Sequence, residues 1–211
     1  MEILEAASIN SLGGQWLSSL PGLPKPKVKF EAEFLAESRD PIRGSSGPFI
    51  VATKTFEEVE GKQFDIVLVP AGRGHVCAGP PVLDPESIPK GVAKFLRAQV
   101  PGAKYIFSVC GGSWTLASLG LLDGKRATSN KSAFNEIKVR LSSAVQWVPK
   151  ARWVVDGKFW TSSGVTAGQD MAYEFLKTLT GEEFAVSTKN MVELRAAGQG
   201  DDEFAEVFKL T

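Results

Sequence analysis

Ile66, Val67, Leu68 and Val69 stand in an unbroken row within QFDIVLVPAG. Successive side chains of an extended strand point to opposite faces, so four consecutive aliphatic residues require apolar cover on both sides of a sheet. KYIFSV, residues 104–109, repeats the demand. Between the two runs the spacing changes to that of a helix, with Ile88, Val92, Phe95 and Leu96 on one face of a segment starting near Pro85. Strands buried on both faces and alternating with amphipathic helices predict an α/β fold: a three-layer αβα sandwich around a mainly parallel sheet.

The remaining segments fit that frame. Met1–Leu12 reads as a helix ended by Gly13-Gly14, and Val28, Phe30, Ala32 and Phe34 alternate as in a half-buried strand. PFIVATKTFEEV is a weaker strand region. Ser113 onward is helical, Asp156-Gly157 between two aromatic-rich runs predicts a hairpin, and Thr166–Leu179 predicts another helix. The tail from Gly181 is a weaker helical pattern broken by Gly198-Gln199-Gly200. With 211 residues, 43% of them apolar, the whole of 1–211 is expected to form one domain.

Lysine plus arginine and aspartate plus glutamate both number 24, and the balance argues against a nucleic-acid partner, which would favour a basic excess. No apolar run approaches the roughly 18–20 residues of a membrane span, and MEILEAASINSL lacks the basic flank of a secretory signal. Two cysteines, Cys77 and Cys110, make neither a disulfide framework nor a four-ligand zinc site, so no metal is expected and a reducing, cytoplasmic setting is.

Chemistry concentrates in IFSVCGGSWTLASLGLL. A buried strand ends, a reactive residue follows, two glycines permit a sharp turn, and a helix begins. That is the pattern of a nucleophile elbow, here with Cys110 in place of serine. A thiol at a helix amino end is stabilised as thiolate. On spacing alone, however, a lone cysteine after a strand is more often a small core residue. PAGRGH follows the other buried strand, so Gly72 should reach the same carboxyl edge and offer a backbone N–H to a developing anion. A plain glycine turn explains it at least as well. His75, the only histidine, reads as an exposed loop residue before it reads as a base for Cys110.

DIVLVPAGRG, SVCGGSWTLASLGLLDGKRATSN and WTSSGVTAGQDMA, in that order, resemble three successive blocks of the ThiJ/PfpI superfamily of class I glutamine-amidotransferase-like proteins, over roughly Glu58–Gly181. The resemblance implies a flavodoxin-like sandwich, Cys110 as nucleophile, and Gly72 and Gly111 as backbone donors beside it. It places Asn130 where protease-like and glyoxalase-like branches often carry histidine, and Asp170 on the wall of the pocket. The block forms are most similar to the isonitrile hydratase branch, which implies a cofactor-free lyase acting on a small-molecule isonitrile such as a secondary metabolite, and a homodimer. A non-catalytic or redox-responsive protein and a glyoxalase- or deglycase-like enzyme are the competing implications. Superfamily members begin with a short buried strand and an acidic residue that bonds the cysteine. MEILEAAS resembles the helix after them, so that strand and acid are expected to be missing from residues 1–211.

Overall fold

The computed structural model describes residues 2–44, 47–72, 85–141 and 143–210. The chain opens with α1 (Glu2–Ala6) and α2 (Leu12–Ser19), followed by four two-residue strands: β1 (Leu35–Ala36), β2 (Ile42–Arg43), β3 (Phe49–Ile50) and β4 (Lys54–Thr55). The core elements come next: β5 (Ile66–Val69), α3 (Lys90–Gly102), β6 (Tyr105–Val109) and α4 (Gly112–Ser118). After β7 (Arg126–Ala127), α5 (Phe134–Arg140) and β8 (Gln146–Trp147) come β9 (Trp153–Asp156), β10 (Phe159–Ser162), α6 (Val165–Thr180), α7 (Glu182–Met191) and α8 (Phe204–Val207).

The central sheet has the order β5-β6-β10-β9. β5 and β10 both run parallel to β6, with Val67 and Trp160 set against Ile106 and Phe107 respectively. β9 is antiparallel to β10 and joins it through Gly157-Lys158. Gly157 takes φ +59°, the left-handed value that a tight hairpin needs at its first central position.

Both faces of the sheet are covered, as the consecutive apolar residues require. On one side Phe107, Trp153 and Trp160 pack with Leu4 of α1, Met171 and Phe175 of α6 and Phe184 of α7. On the other, Val67, Val69, Ile106 and Phe159 pack with Leu96 and Val100 of α3 and Leu116 of α4. The architecture is the expected αβα sandwich.

Three local expectations change. Met1–Leu12 is two helices rather than one, because Ser8 leaves the first helix to bridge Val28, and its hydroxyl accepts the Phe30 N–H at 2.8 Å. Ser11 then caps α2 by accepting the Gly14 N–H at 2.9 Å. Gly13-Gly14 therefore lies inside a helix, where a Cβ on Gly14 would overlap the Ser8 carbonyl. The alternating segment 28–34 forms no continuous strand. Phe30 reaches the core, but beyond the Val28 bridge the backbone finds no ladder until β1 pairs with β4. The outer edge of β5, which could have received a neighbour, pairs with no strand among the described residues.

Phe175 sits at the centre of the first layer, edge-on to Tyr105 and Phe107 at 4.8 Å and to Trp160 at 5.5 Å. Truncation to alanine removes all three ring contacts and leaves a cavity. Phe175→Ala is expected to lower the unfolding free energy by about 3–5 kcal/mol in urea titration.

Candidate functional site

β6 delivers Cys110 to the carboxyl edge of the sheet, and the turn into α4 is made on the cysteine itself. Its φ is +58°, a conformation that costs a non-glycine residue on the order of 1 kcal/mol or more. Gly111, by contrast, has ordinary right-handed values of −69° and −4°. The expectation that both glycines relieve the turn is thus half right. Gly112 is the one that sterics demand, since a Cβ there would overlap the carbonyl oxygen of Val69 at the end of β5.

Hydrogen bonds over-determine this strained residue. The Cys110 N–H donates to the Ser162 carbonyl at 3.1 Å, extending the β6–β10 ladder by one step. Its carbonyl accepts from the Ser129 hydroxyl at 3.0 Å and the Ser113 hydroxyl at 3.2 Å. The side chain is half-buried and not in a disulfide.

Ser129 belongs to a segment that is itself fastened from below. The Thr128 N–H donates to Thr161 Oγ1 at 2.9 Å, and the Thr128 hydroxyl donates to the Val148 carbonyl at 2.9 Å. Lys131 Nζ donates to Thr128 Oγ1 at 2.8 Å and to the Ala151 carbonyl at 2.9 Å, and faces the Asp202 carboxylate at 3.2 Å. Burial pushes the Lys131 ammonium below the usual lysine range, with Asp202 opposing the shift. Asn130, between these anchors, uses its side-chain oxygen to cap a 3₁₀ turn, accepting the Ser132 N–H at 3.0 Å.

Gly72 lies three residues past Val69 and is exposed. Because Val69 pairs with Ser108 and Gly112 abuts Val69, Gly72 and Cys110 leave the sheet at one edge. Gly72 lines a cavity of about 360 Å³ beside β5, together with Pro70 and Thr115 and the apolar side chains of Phe56, Val92 and Phe95. Cys110, Gly111 and Asn130 are not among its lining residues. Asp170 departs from the expected pocket wall. Arg152 binds its Oδ2 at 2.7 Å through Nε, and the Ala197 N–H binds Oδ1 at 3.0 Å, so the carboxylate secures the tail instead. It is the sixth residue of α6 and borders a different cavity. Trp114 is fully buried in packing. His75 and Cys77 lie outside the described residues, which contain no cluster of His, Cys, Asp and Glu fit to hold a metal ion.

Sequence reasoning missed Ser113, Ser129, Ser162, Lys131 and Arg152. For Ser129 and Ser162 a signal existed in the hydroxyl-rich strings ATSN and WTSS at the ends of β7 and β10, where short polar side chains satisfy backbone groups at a sheet edge.

A cysteine in a strained strand-to-helix turn, at the carboxyl edge of a parallel sheet between two helical layers, defines an α/β protein of the nucleophile-elbow kind. The chain belongs to the DJ-1/PfpI family, which matches it over residues 27–178. It is 35% identical over 156 residues to the isonitrile hydratase of Pseudomonas putida, covering 74% of this chain and 60% of that protein. A deglycase of Pyrococcus horikoshii is 30% identical over 131 residues, covering 61% and 70% of the two chains. The crystal structure of a ThiJ/PfpI family protein from Pseudomonas syringae superposes with a TM-score of 0.64 at 26% identity, over 87% of this chain and 73% of that one.

The buried pairs around the site separate two outcomes. Asp202→Ala strands the Lys131 ammonium in the interior and is expected to destabilise the fold by about 3–5 kcal/mol, whereas Lys131→Met with Asp202→Leu should come within about 1 kcal/mol of the parent or exceed it. Because the folded-state pKa of Lys131 is lowered, the unfolded chain binds more protons between that value and 10.5, so this residue's contribution to stability rises with pH across that window. Urea titrations at neutral and alkaline pH should show that rise in the parent and lose it in the double variant.

Proposed function

We propose that the protein is a cofactor-free lyase that hydrates a small isonitrile to the N-substituted formamide, with Cys110 as nucleophile. The observation that carries this reading is the strained, hydrogen-bonded elbow at Cys110 in a chain whose 35%-identical relative is named an isonitrile hydratase. The chain spans 60% of that relative's length, so the activity rests on the site rather than on the whole protein.

In the proposed reaction the Cys110 sulfur bonds to the terminal isonitrile carbon, and a proton adds to that same carbon, giving a thioformimidate. Water then attacks the carbon, the carbon–sulfur bond breaks, and protons end on nitrogen and on the departing thiol. The sum is one isonitrile plus one water giving one formamide. The N–H groups of Gly72 and Gly111 are assigned to the charge that develops at the reacting centre. The apolar cavity beside Gly72 lies at the same sheet edge as Cys110 without being lined by it, and offers room for the apolar body of such a substrate rather than for its reacting carbon. Isonitrile turnover needs no histidine base, in keeping with Asn130 at the position where glyoxalase-like branches often have histidine.

Purified protein incubated with cyclohexyl isonitrile is expected to release N-cyclohexylformamide, with Cys110→Ala reducing the rate to background. Formamide formation equal in the two proteins would sink the assignment of Cys110. Turnover of methylglyoxal with no formamide product would instead favour the deglycase reading, which the Pyrococcus relative supports.

The same proposal places the protein in a reducing cytoplasm, where Cys110 stays a thiol, and as a homodimer. The support for pairing is the β2–β3 hairpin, whose Ile42, Phe49 and Ile50 are 45%, 65% and 56% exposed. Phe49→Glu combined with Ile50→Glu should convert a dimeric sedimentation profile to that of a 22.7 kDa monomer.

A further inference from the structure

Cys110 joins two peptide units that are held by different means. The one on its amino side belongs to the sheet, where the Cys110 N–H continues the β6–β10 ladder to the Ser162 carbonyl at 3.1 Å. The one on its carboxyl side, made of the Cys110 C=O and the Gly111 N–H, lies beyond that bond, past the left-handed φ of +58°. Two hydroxyls hold it. Ser129 and Ser113 donate to the Cys110 carbonyl at 3.0 and 3.2 Å, and both serines are wholly buried. Two donors match the two lone pairs of that oxygen.

A trans peptide is planar, with its C=O and N–H on opposite sides. Fixing the carbonyl toward Ser129 and Ser113 therefore turns the Gly111 N–H away from them. That N–H meets no acceptor among the described residues, whereas the next carbonyl, of Gly111, already accepts the Trp114 N–H at 3.1 Å. Hydrogen bonds accepted by the carbonyl also polarise the N–H of the same peptide. The Gly111 nitrogen is four bonds from Cys110 Sγ, so the direction of its N–H bears on any charge at the sulfur.

The two serines are not equivalent. Ser113 belongs to the first turn of α4 and moves with the elbow. Ser129 comes from nineteen residues beyond the cysteine. Its neighbour Thr128 is tied to Thr161, Val148 and Lys131, and Lys131 faces Asp202 at 3.2 Å. Ser129 thus supplies a fixed point outside the turn. Taking the hydratase reading for the identity of the reaction, we infer that Ser129 is a positioning residue, whose hydroxyl sets the direction of the Gly111 N–H that meets the developing charge.

Two measurements on each variant test it. Cys110 is labelled with iodoacetamide at neutral pH and followed by site-resolved mass spectrometry, and turnover of cyclohexyl isonitrile supplies kcat and KM. In Ser129→Ala the labelling rate should fall about threefold, because the thiolate loses an oriented donor. A turn that had merely loosened would expose the sulfur and label faster, so the sign separates positioning from support. kcat should fall about tenfold with KM within about twofold, as for a contact made in the transition state, where losing a whole donor costs roughly 10²–10³. Ser113→Ala should move both in the same direction by less. Unchanged or faster labelling in Ser129→Ala, a rise in KM at constant kcat, or a larger effect of Ser113→Ala would overturn the inference. Should Ser129→Ala fail to fold, slower labelling in Ser113→Ala upholds it and unchanged or faster labelling overturns it. Absence of formamide from the parent protein sinks the hydratase reading alone, and the labelling rates still decide the part played by Ser129.

Discussion

Ile106 and Phe107 are neighbours in sequence, yet each is at most 1% exposed, on opposite faces of β6. That pair of burials is the constraint on which the rest hangs. A strand can hide consecutive large side chains only with strands on both edges and helices on both faces. β5 and β10 supply the edges, and α6 and the α3–α4 pair supply the faces. Once β6 is held in this way, the residue that follows it has one exit, at the carboxyl edge, and that residue is Cys110.

The strain at Cys110 is sustained by groups drawn from separate parts of the chain. Ser162 comes from β10, Ser129 from the segment after β7, and the close approach at Gly112 from β5. None of them contacts the next in sequence, so the left-handed turn depends on tertiary structure already in place. Asp170 and Asp202 extend the same arrangement to the tail. Each is a buried carboxylate facing a buried cation, Arg152 or Lys131, and Ala197 is hydrogen-bonded to the first. The segment around 197–202 is thereby fastened to the layer that carries Ser129.

The layered fold and the elbow were legible because both rest on local pattern. Ile66–Val69 and YIFSV announce two-sided burial without knowledge of their neighbours, and Cys110-Gly111-Gly112 between a strand and a helix announces the turn. What stayed hidden depends on partners distant in sequence. Alternation at 28–34 looks like a strand whether or not a ladder exists to receive it. The split between α1 and α2 is decided by Ser8 reaching Val28 and Phe30, twenty residues on. Asp170 sits in a block that suggests a site, and only the fold reveals that Arg152 claims its carboxylate. Lys131 is invisible from sequence as a buried cation, since nothing nearby foretells Asp202 beneath it.

Among the described residues β5 has a strand partner on one edge only, which gives the described sheet a mechanical polarity. β6 is zipped on both sides, and β9 is shielded in part by its contacts with Gln199 and β7. Among the described residues β5 pairs with β6 alone, and its Leu68 is 37% exposed. Amide protons along Ile66–Val69 should therefore exchange with solvent deuterium through smaller, local openings, while those of Ile106 and Phe107 wait for global unfolding. Fluctuation at that flank reaches the Val69 carbonyl that abuts Gly112 before it reaches the rest of the elbow. The sheet thus loosens from the side on which the cysteine's turn leans.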